Sequence, residues 1–477
     1  MNNLSSEKRS CLLGTLKLVF MKFIKSKNAN VNYLAKIVEL KSFHNHPNPE
    51  VTRLKCAVVD GYNIIVGIDY EPGKFVYFPS GCTINPQFLS YANLYKHVDK
   101  NVDSEKSGMF EDNGRVKSIK LKGTVSEGFL LPLNTMLDWI NSAVMVSIPE
   151  NEIETNTEFD TFEHNGKSFW INKKFIVENR ISTGGSQRNR QNKLKKFDKV
   201  IDTQFRFHYD TTLIRRDPNA ITPSDLISIT SKWHGTSHIS AYVLCKRPKT
   251  IWEKLLGWLI PTDDTKYDYL YSSRSVIKNQ YNESSSGGYY GCNVWAEADK
   301  ILRPCLIKGM TIYAEIVGFT PDGKFIQKNY DYGCVPPNSG EEYTHEKHFK
   351  VRVYRITMTN VDGFVHEFSA REVQQYCLSR GLVPVEEFYY GYARDLYDNE
   401  IVEDENWNVN FIERLANDKR FYMEKNSPDC VNKVPHEGIV IKKEDMRSAA
   451  WKLKCFNFIN GESKLLDAGE SNIEDEN

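Results

Sequence analysis

Lys232-Trp-His-Gly-Thr236 stands between two apolar runs, Leu226, Ile227 and Ile229 on one side and Ile239, Tyr242, Val243 and Leu244 on the other. Alternating runs of this kind predict strands, which places Lys232 at the junction of two half-buried segments. Burial disfavours an ammonium, and the neutral amine it leaves is a nucleophile. Gly235 allows backbone to approach a ligand closely. A K-x-x-G match alone recurs by chance, but an ordered set of polar residues follows it. Tyr271-Ser-Ser-Arg274 closes a tyrosine-rich strand, and Glu315 sits inside the apolar run Thr311–Gly318. Tyr354 belongs to the run Val351–Ile356, and Glu437 opens the apolar strand His436–Ile441. Lys452 and Lys454 lie two apart in Trp451–Cys455, so both point to one face. Taken singly, each has a plain structural reading: Glu315 as a core acid paired with a lysine, Glu437 as a turn cap, the two lysines as a solvated strand face.

The elements that must carry these residues divide the 477-residue chain into two main parts. Short alternating runs at Tyr33–Leu40, Leu54–Val59, Asn63–Ile68, Phe75–Phe78, Arg115–Leu121 and Gly128–Leu131, broken by turn residues, predict a small barrel over residues 31–147, of which an OB-fold is a good example. Residues 1–30 read as an extension: the basic, acid-poor stretch Leu12–Ile24 is either a targeting peptide or a segment upstream of Met21 that adds little to the fold. Residues 148–196 read as a linker with an acidic stretch, Glu150–Glu158, and a basic cluster of Arg188, Arg190, Lys193, Lys195 and Lys196. Residues 197–460 mix strands with helices expected at Trp252–Leu259, Val294–Leu302, Ala370–Leu378 and Asn410–Met423. The acidic stretch 461–477 is expected to be disordered. The fold class is therefore α+β.

Composition sets bounds on function. Lys+Arg and Asp+Glu both number 62, so no global field announces a polyanionic partner. Ten scattered cysteines without a C-x-x-C pair argue against a zinc ribbon or disulfide framework and favour a reducing, intracellular or cytoplasmic compartment. No apolar run has membrane-spanning length. A second K-x-x-G, Lys120-Leu-Lys-Gly123, is followed by Glu127-Gly-Phe-Leu130 with no room for a pocket between them, and reads as a barrel hairpin.

The ordered set resembles the covalent nucleotidyltransferase superfamily of polynucleotide ligases and mRNA capping enzymes. Lys232–Gly235 matches motif I, Ser273-Arg274 motif Ia, Glu315–Gly318 motif III, Val353–Ile356 motif IIIa, Glu437–Val440 motif IV and Lys452–Lys454 motif V. Lys-x-His-Gly-Thr-Ser, Tyr-x-Ser-Ser-Arg and Trp-Lys-x-Lys point further, to ATP-dependent RNA ligases of the Deinococcus and Naegleria type, which carry an OB domain before an ATP-grasp-like ligase domain of antiparallel sheets and helices. DNA ligases usually have aspartate where this chain has His234, and they and capping enzymes usually carry the OB domain after motif V.

The resemblance implies a chemistry. Lys232 forms a phosphoramidate with AMP, Lys452 and Lys454 grip the α-phosphate, and Arg274 contacts a terminal 5′-phosphate or the nucleotide. Glu315 accepts from the ribose hydroxyls, Tyr354 stacks on adenine, and His234 acts as a positioning residue. Glu437 orients Mg²⁺ or Mn²⁺ through water. The implied substrates are ATP and RNA with 3′-hydroxyl and 5′-phosphate ends, held in a nicked duplex by a monomer. A DNA ligase, a capping guanylyltransferase, and an OB-containing RNA-binding protein with a degenerate transferase domain are the competing readings.

Overall fold

The computed structural model describes residues 21–145, 148–177, 200–247, 249, 253, 263–278, 290–397, 406–445 and 449–470. They form two compact units, one from Met1–Ile176 with Arg215–Pro218, the other from Val177–Ile214 with Asn219–Asn477. The basic cluster 188–196, most of the helix expected at 252–259 and the first twenty residues lie outside the described residues.

In the first unit the expected strands form, but they do not join into one closed barrel. An antiparallel sheet runs Phe129–Pro132, Gly73–Phe78, Ala35–Leu40, Glu158–Phe159, and a second runs His44–Asn45, Leu54–Val59, Tyr62–Gly67. The linker reading of residues 158–174 is corrected: Thr161–His164 pairs with Lys167–Trp170 and with Met21–Ile24, and Asn172–Lys174 pairs with Cys82–Ile84. Phe159, Phe162 and Ile171 are the reason, since all three are buried in the unit's core and each removes roughly 2 kcal/mol worth of apolar surface from water. Residues 21–24 likewise belong to the fold rather than to an extension. The second K-x-x-G is a hairpin, Ser118–Leu121 against Thr124–Glu127, with Gly123 at the turn at φ +93°.

The second unit is built on two sheets. The first is made of β1 (Thr212–Leu213), β2 (Leu226–Ser231), β9 (Glu387–Tyr392), β10 (Gly438–Lys443) and β11 (Ala450–Lys454), in the order β1-β11-β10-β2-β9. The second contains β3 (Thr236–Lys246), β4 (Thr265–Ser272), β5 (Ile277–Lys278), β6 (Met310–Gly318), β7 (Phe349–Thr359) and β8 (Val365–Glu367), in the order β5-β4-β3-β6-β7-β8. Helix α1 (Val294–Leu302) buries Val294, Trp295, Ala298 and Leu302, the 3.6-residue stripe that its sequence shows. Helix α2 (Ala370–Arg380) starts at a Ser369–Glu372 capping box and ends at Gly381 in the left-handed region. Helix α3 (Trp407–Asn417) packs Phe411, Ile412 and Leu415 behind the first sheet. Helix α4 (Phe456–Asp467) corrects the disorder expected from residue 461 as far as residue 467, with Phe458 buried as its anchor; residues 471–477 lie outside the described residues. Among the described residues no helix is long and apolar enough to cross a membrane.

Candidate active site

Lys232 lies where the chain leaves β2 of one sheet and enters β3 of the other, so the candidate nucleophile marks the junction between the sheets. The junction is fixed from both sides. Lys232 N–H donates to the Gly438 carbonyl at 3.0 Å, and β2 pairs with β10 from Ile227↔Lys443 to Ser231↔Ile439. The register alone therefore brings Lys232 beside Glu437. Lys232 Nζ is 2.8 Å from Glu437 Oε1, whose carboxylate is almost fully buried. The same oxygen is 3.3 Å from Lys454 Nζ, on the strand next to β10.

Two glycines are dictated by close approach. A Cβ at Gly235 would collide with the Ile316 carbonyl and come within 2.7 Å of Val317 Cγ1, and the Gly235 N–H donates to Glu315 Oε1 at 3.1 Å. Gly438 has φ +142° and faces the Leu453 carbonyl, which keeps β10 and β11 close enough to bring Glu437 and Lys454 together.

One cleft is lined by Lys232, Arg274, Glu315, Tyr354, Lys452 and Lys454, together with Val440, Val373 and Val385. Tyr354 Oη and Ser237 Oγ are 3.3 Å apart. Glu437 joins the cleft residues through its contacts with Lys232 and Lys454. His234 is buried below the nucleophile: its N–H donates to Tyr332 Oη at 3.0 Å, and Tyr332 donates back to the His234 carbonyl at 2.9 Å. Its ring packs edge-on to Tyr330 and Phe458, each at 4.8 Å, and Gln327 hydrogen-bonds its Nε2. Lys232, Arg274, Glu315, Tyr354, Lys452 and Lys454 thus line one cleft, with Gly235, His234 and Glu437 beside them through their contacts with Glu315, Glu437 and Lys232.

No protein-family model and no curated protein matches the chain. Solved structures do. The apo form of a substituted Naegleria gruberi RNA ligase aligns over 91% of this chain and 99% of its own, with a TM-score of 0.52 and 15% identity. This chain has an RNA ligase fold. Naegleria gruberi RNA ligase with pyrophosphate covers 91% and 100% at TM-score 0.49 and 15% identity, and a variant of it with ATP and Mn covers 91% and 99% at 0.49 and 13%.

The site also holds residues that the sequence did not single out. Asp210 Oδ1 is 2.7 Å from Lys452 Nζ and 2.9 Å from Arg274 Nη2, which clamps two candidate phosphate-binding cations onto one carboxylate. Burial holds the Lys452 pKa below the usual lysine value, and Asp210 opposes that shift. His208 and Tyr209 precede it in the cleft; the His208 ring meets Tyr354 edge-on at 5.2 Å, and burial keeps its pKa at about 3, so it is a neutral ring. Glu367, which also lines the cleft, takes three hydrogen bonds of 2.9–3.0 Å from Arg355 and lies 3.7 Å from Lys442 Nζ. Beside the nucleophile, Ser231 Oγ contacts Asp429 Oδ2 at 3.1 Å and His436 Nε2 at 3.2 Å. Burial pushes Asp429 up to about 6 and His436 down to about 4. The one sequence signal for this last group was adjacency: Ser231 precedes Lys232, and His436 precedes Glu437.

Proposed function

We propose that the chain is an ATP-dependent RNA ligase that joins a 3′-hydroxyl end to a 5′-phosphate end. The observation that carries this reading is Lys232, set at a sheet junction 2.8 Å from a buried carboxylate, with Lys452, Lys454 and Arg274 lining the same cleft. The shared fold with an RNA ligase supports it.

In the first step the Lys232 amine attacks the α-phosphorus of ATP. The bond to the bridging oxygen breaks, pyrophosphate leaves, and AMP stays on Nζ as a phosphoramidate. A 5′-phosphate oxygen of the RNA then displaces the lysine, giving a 5′-adenylylated end. A 3′-hydroxyl attacks the 5′-phosphorus, forms the phosphodiester and releases AMP. Lys452 and Lys454 neutralise charge that grows on the α-phosphate. Glu315 receives the ribose hydroxyls, and Tyr354 and Val440 flank the base. Arg274 contacts a phosphate, either of the nucleotide or of the RNA end.

The acidic groups fit a divalent cation held mainly by water. Among the described residues no three His, Cys, Asp or Glu side chains cluster to enclose a metal. Glu437 would hold Mg²⁺ or Mn²⁺ through water, and the cation would supply neutralisation of phosphate charge. The first unit, with its paired antiparallel sheets, is the candidate OB-like surface for nicked duplex RNA. In this reading the ligase acts as a monomer, and its free thiols, several of them buried, suit a reducing compartment.

The test of substrate class is the sealing of nicks whose 3′-hydroxyl strand ends in RNA or in DNA. RNA ends are expected to be sealed faster, because an RNA ligase reads A-form shape and the 2′-hydroxyl. Equal sealing of an all-DNA nick would move the assignment to DNA ligase. Asp210 supplies a second test, in pH dependence. Lys452 works as an ammonium, so activity is lost as pH rises through its pKa. Asp210→Asn removes the carboxylate that holds this pKa up, and the alkaline limb of lysyl-AMP formation is expected to move to lower pH. An unmoved alkaline limb would remove Lys452 from the ionisations that govern the step.

A further inference from the structure

Helix α4 follows the last of the nucleotidyltransferase motifs, yet it reaches the reacting centre. Its start is fixed by Glu424, whose carboxylate accepts the N–H groups of Phe456 at 2.5 Å and Asn457 at 3.2 Å. A second tie joins it to the site, because the Cys455 N–H donates to the Glu437 carbonyl at 3.0 Å. Phe458 and Glu462 are four residues apart and therefore share one face of the helix. Phe458 is buried, lies edge-on to His234 at 4.8 Å, and carries Lys454 Nζ over its ring at 4.9 Å. One turn later Glu462 Oε2 stands 3.3 Å from the same Nζ. The Lys454 ammonium is thus held by the Phe458 ring and by two carboxylates, Glu437 and Glu462.

The two carboxylates are not equivalent. Glu437 Oε1 is shared by Lys454 and Lys232, and on the proposed reading the Lys232 amine must leave that pairing to attack phosphorus, while Glu437 is also the residue that would hold a divalent cation through water. Glu462 then remains as the countercharge that keeps Lys454 aimed. We propose that Glu462 is a positioning residue of the ligase, holding Lys454 toward the α-phosphate through the step in which Glu437 is engaged elsewhere. The inference rests on the ligase reading and deepens it.

Its effect belongs to the transition state. Lys454 meets charge that grows on the α-phosphate as pyrophosphate departs, so a misaimed ammonium costs the chemical step more than the binding of ATP. The experiment measures single-turnover lysyl-AMP formation over a range of ATP concentrations for the wild type, Glu462→Gln, Glu462→Asp, Lys454→Ala and the double variant Glu462→Gln/Lys454→Ala. Glutamine keeps the side chain's size and removes only its charge. Glu462→Gln is expected to lower the rate constant at saturating ATP about tenfold, with a much smaller change in the ATP concentration giving half the maximal rate. Glu462→Asp should recover part of that loss, and the double variant should be no slower than Lys454→Ala alone, because the two residues act as one unit.

Several results would overturn the proposal. One is a Glu462→Gln rate equal to the wild type's, and another is a loss that multiplies with that of Lys454→Ala. A fall in melting temperature together with half-saturation and maximal rate changing in parallel would make Glu462 a structural residue only. If the wild type forms no lysyl-AMP, the ligase reading fails and this inference falls with it; if the wild type forms it normally, only the role of Glu462 is at stake.

Discussion

Glu437→Gln is expected to slow lysyl-AMP formation and nick sealing by about 100- to 1,000-fold, the usual cost of losing one well-placed electrostatic contact. The reason lies in what surrounds the carboxylate. Its Oε1 lies within 3.5 Å of both the Lys232 and the Lys454 Nζ atoms, and in the proposed chemistry it would also orient the cation. Glutamine fills the same volume and leaves the β2–β10 register intact, so the loss should appear in rate and not in secondary structure. Lys454→Ala should fall in the same range by a different route, through charge left unneutralised on the α-phosphate. The check is single-turnover adenylylation with magnesium, then with manganese. Near-wild-type rates for either variant would remove that residue from its proposed role.

The centre of the site was legible because its residues follow local rules. Lys232, Glu315, Glu437, Lys452 and Lys454 sit in or beside apolar strands, where period-two alternation fixes which side chains share a face. The register of β2 with β10 and of β10 with β11 then follows from burial of Ile227, Ile229, Ile439, Ile441 and Leu453. Helix α1 was legible for a similar reason, its apolar stripe being unbroken. What escaped is what depends on distant partners. Asp210 and Lys452 meet across 242 positions, and nothing in the run Phe205–Tyr209 announces that the acid after it clamps two cations.

The misjudged segments share another cause. Residues 148–174 look like a connection because acidic residues dominate their start, while three buried apolar side chains decide their fold. Residues after 460 are polar enough to suggest disorder, yet Phe458 seats helix α4, and Glu462 is drawn to Lys454. The barrel expected over residues 31–147 was inferred from strand spacing, which constrains the number of strands better than their closure. Strands at 158–174 complete ladders that a barrel confined to 147 would have had to close by itself.

In the proposed reaction Lys232 becomes covalently bonded to AMP. The direct measurement is incubation of the purified protein with α-labelled ATP, and separately GTP, plus magnesium or manganese, followed by denaturation, digestion and mass assignment of the labelled peptide. Wild-type protein is expected to carry AMP on Lys232, with little label from GTP. Lys232→Ala is expected to carry none, and Lys120→Ala to label as the wild type does, since Lys120 lies in the hairpin strand Ser118–Leu121 of the first unit. Label on Lys232→Ala, label at Lys120, or no adduct on wild-type protein with either metal would contradict Lys232 as the nucleophile.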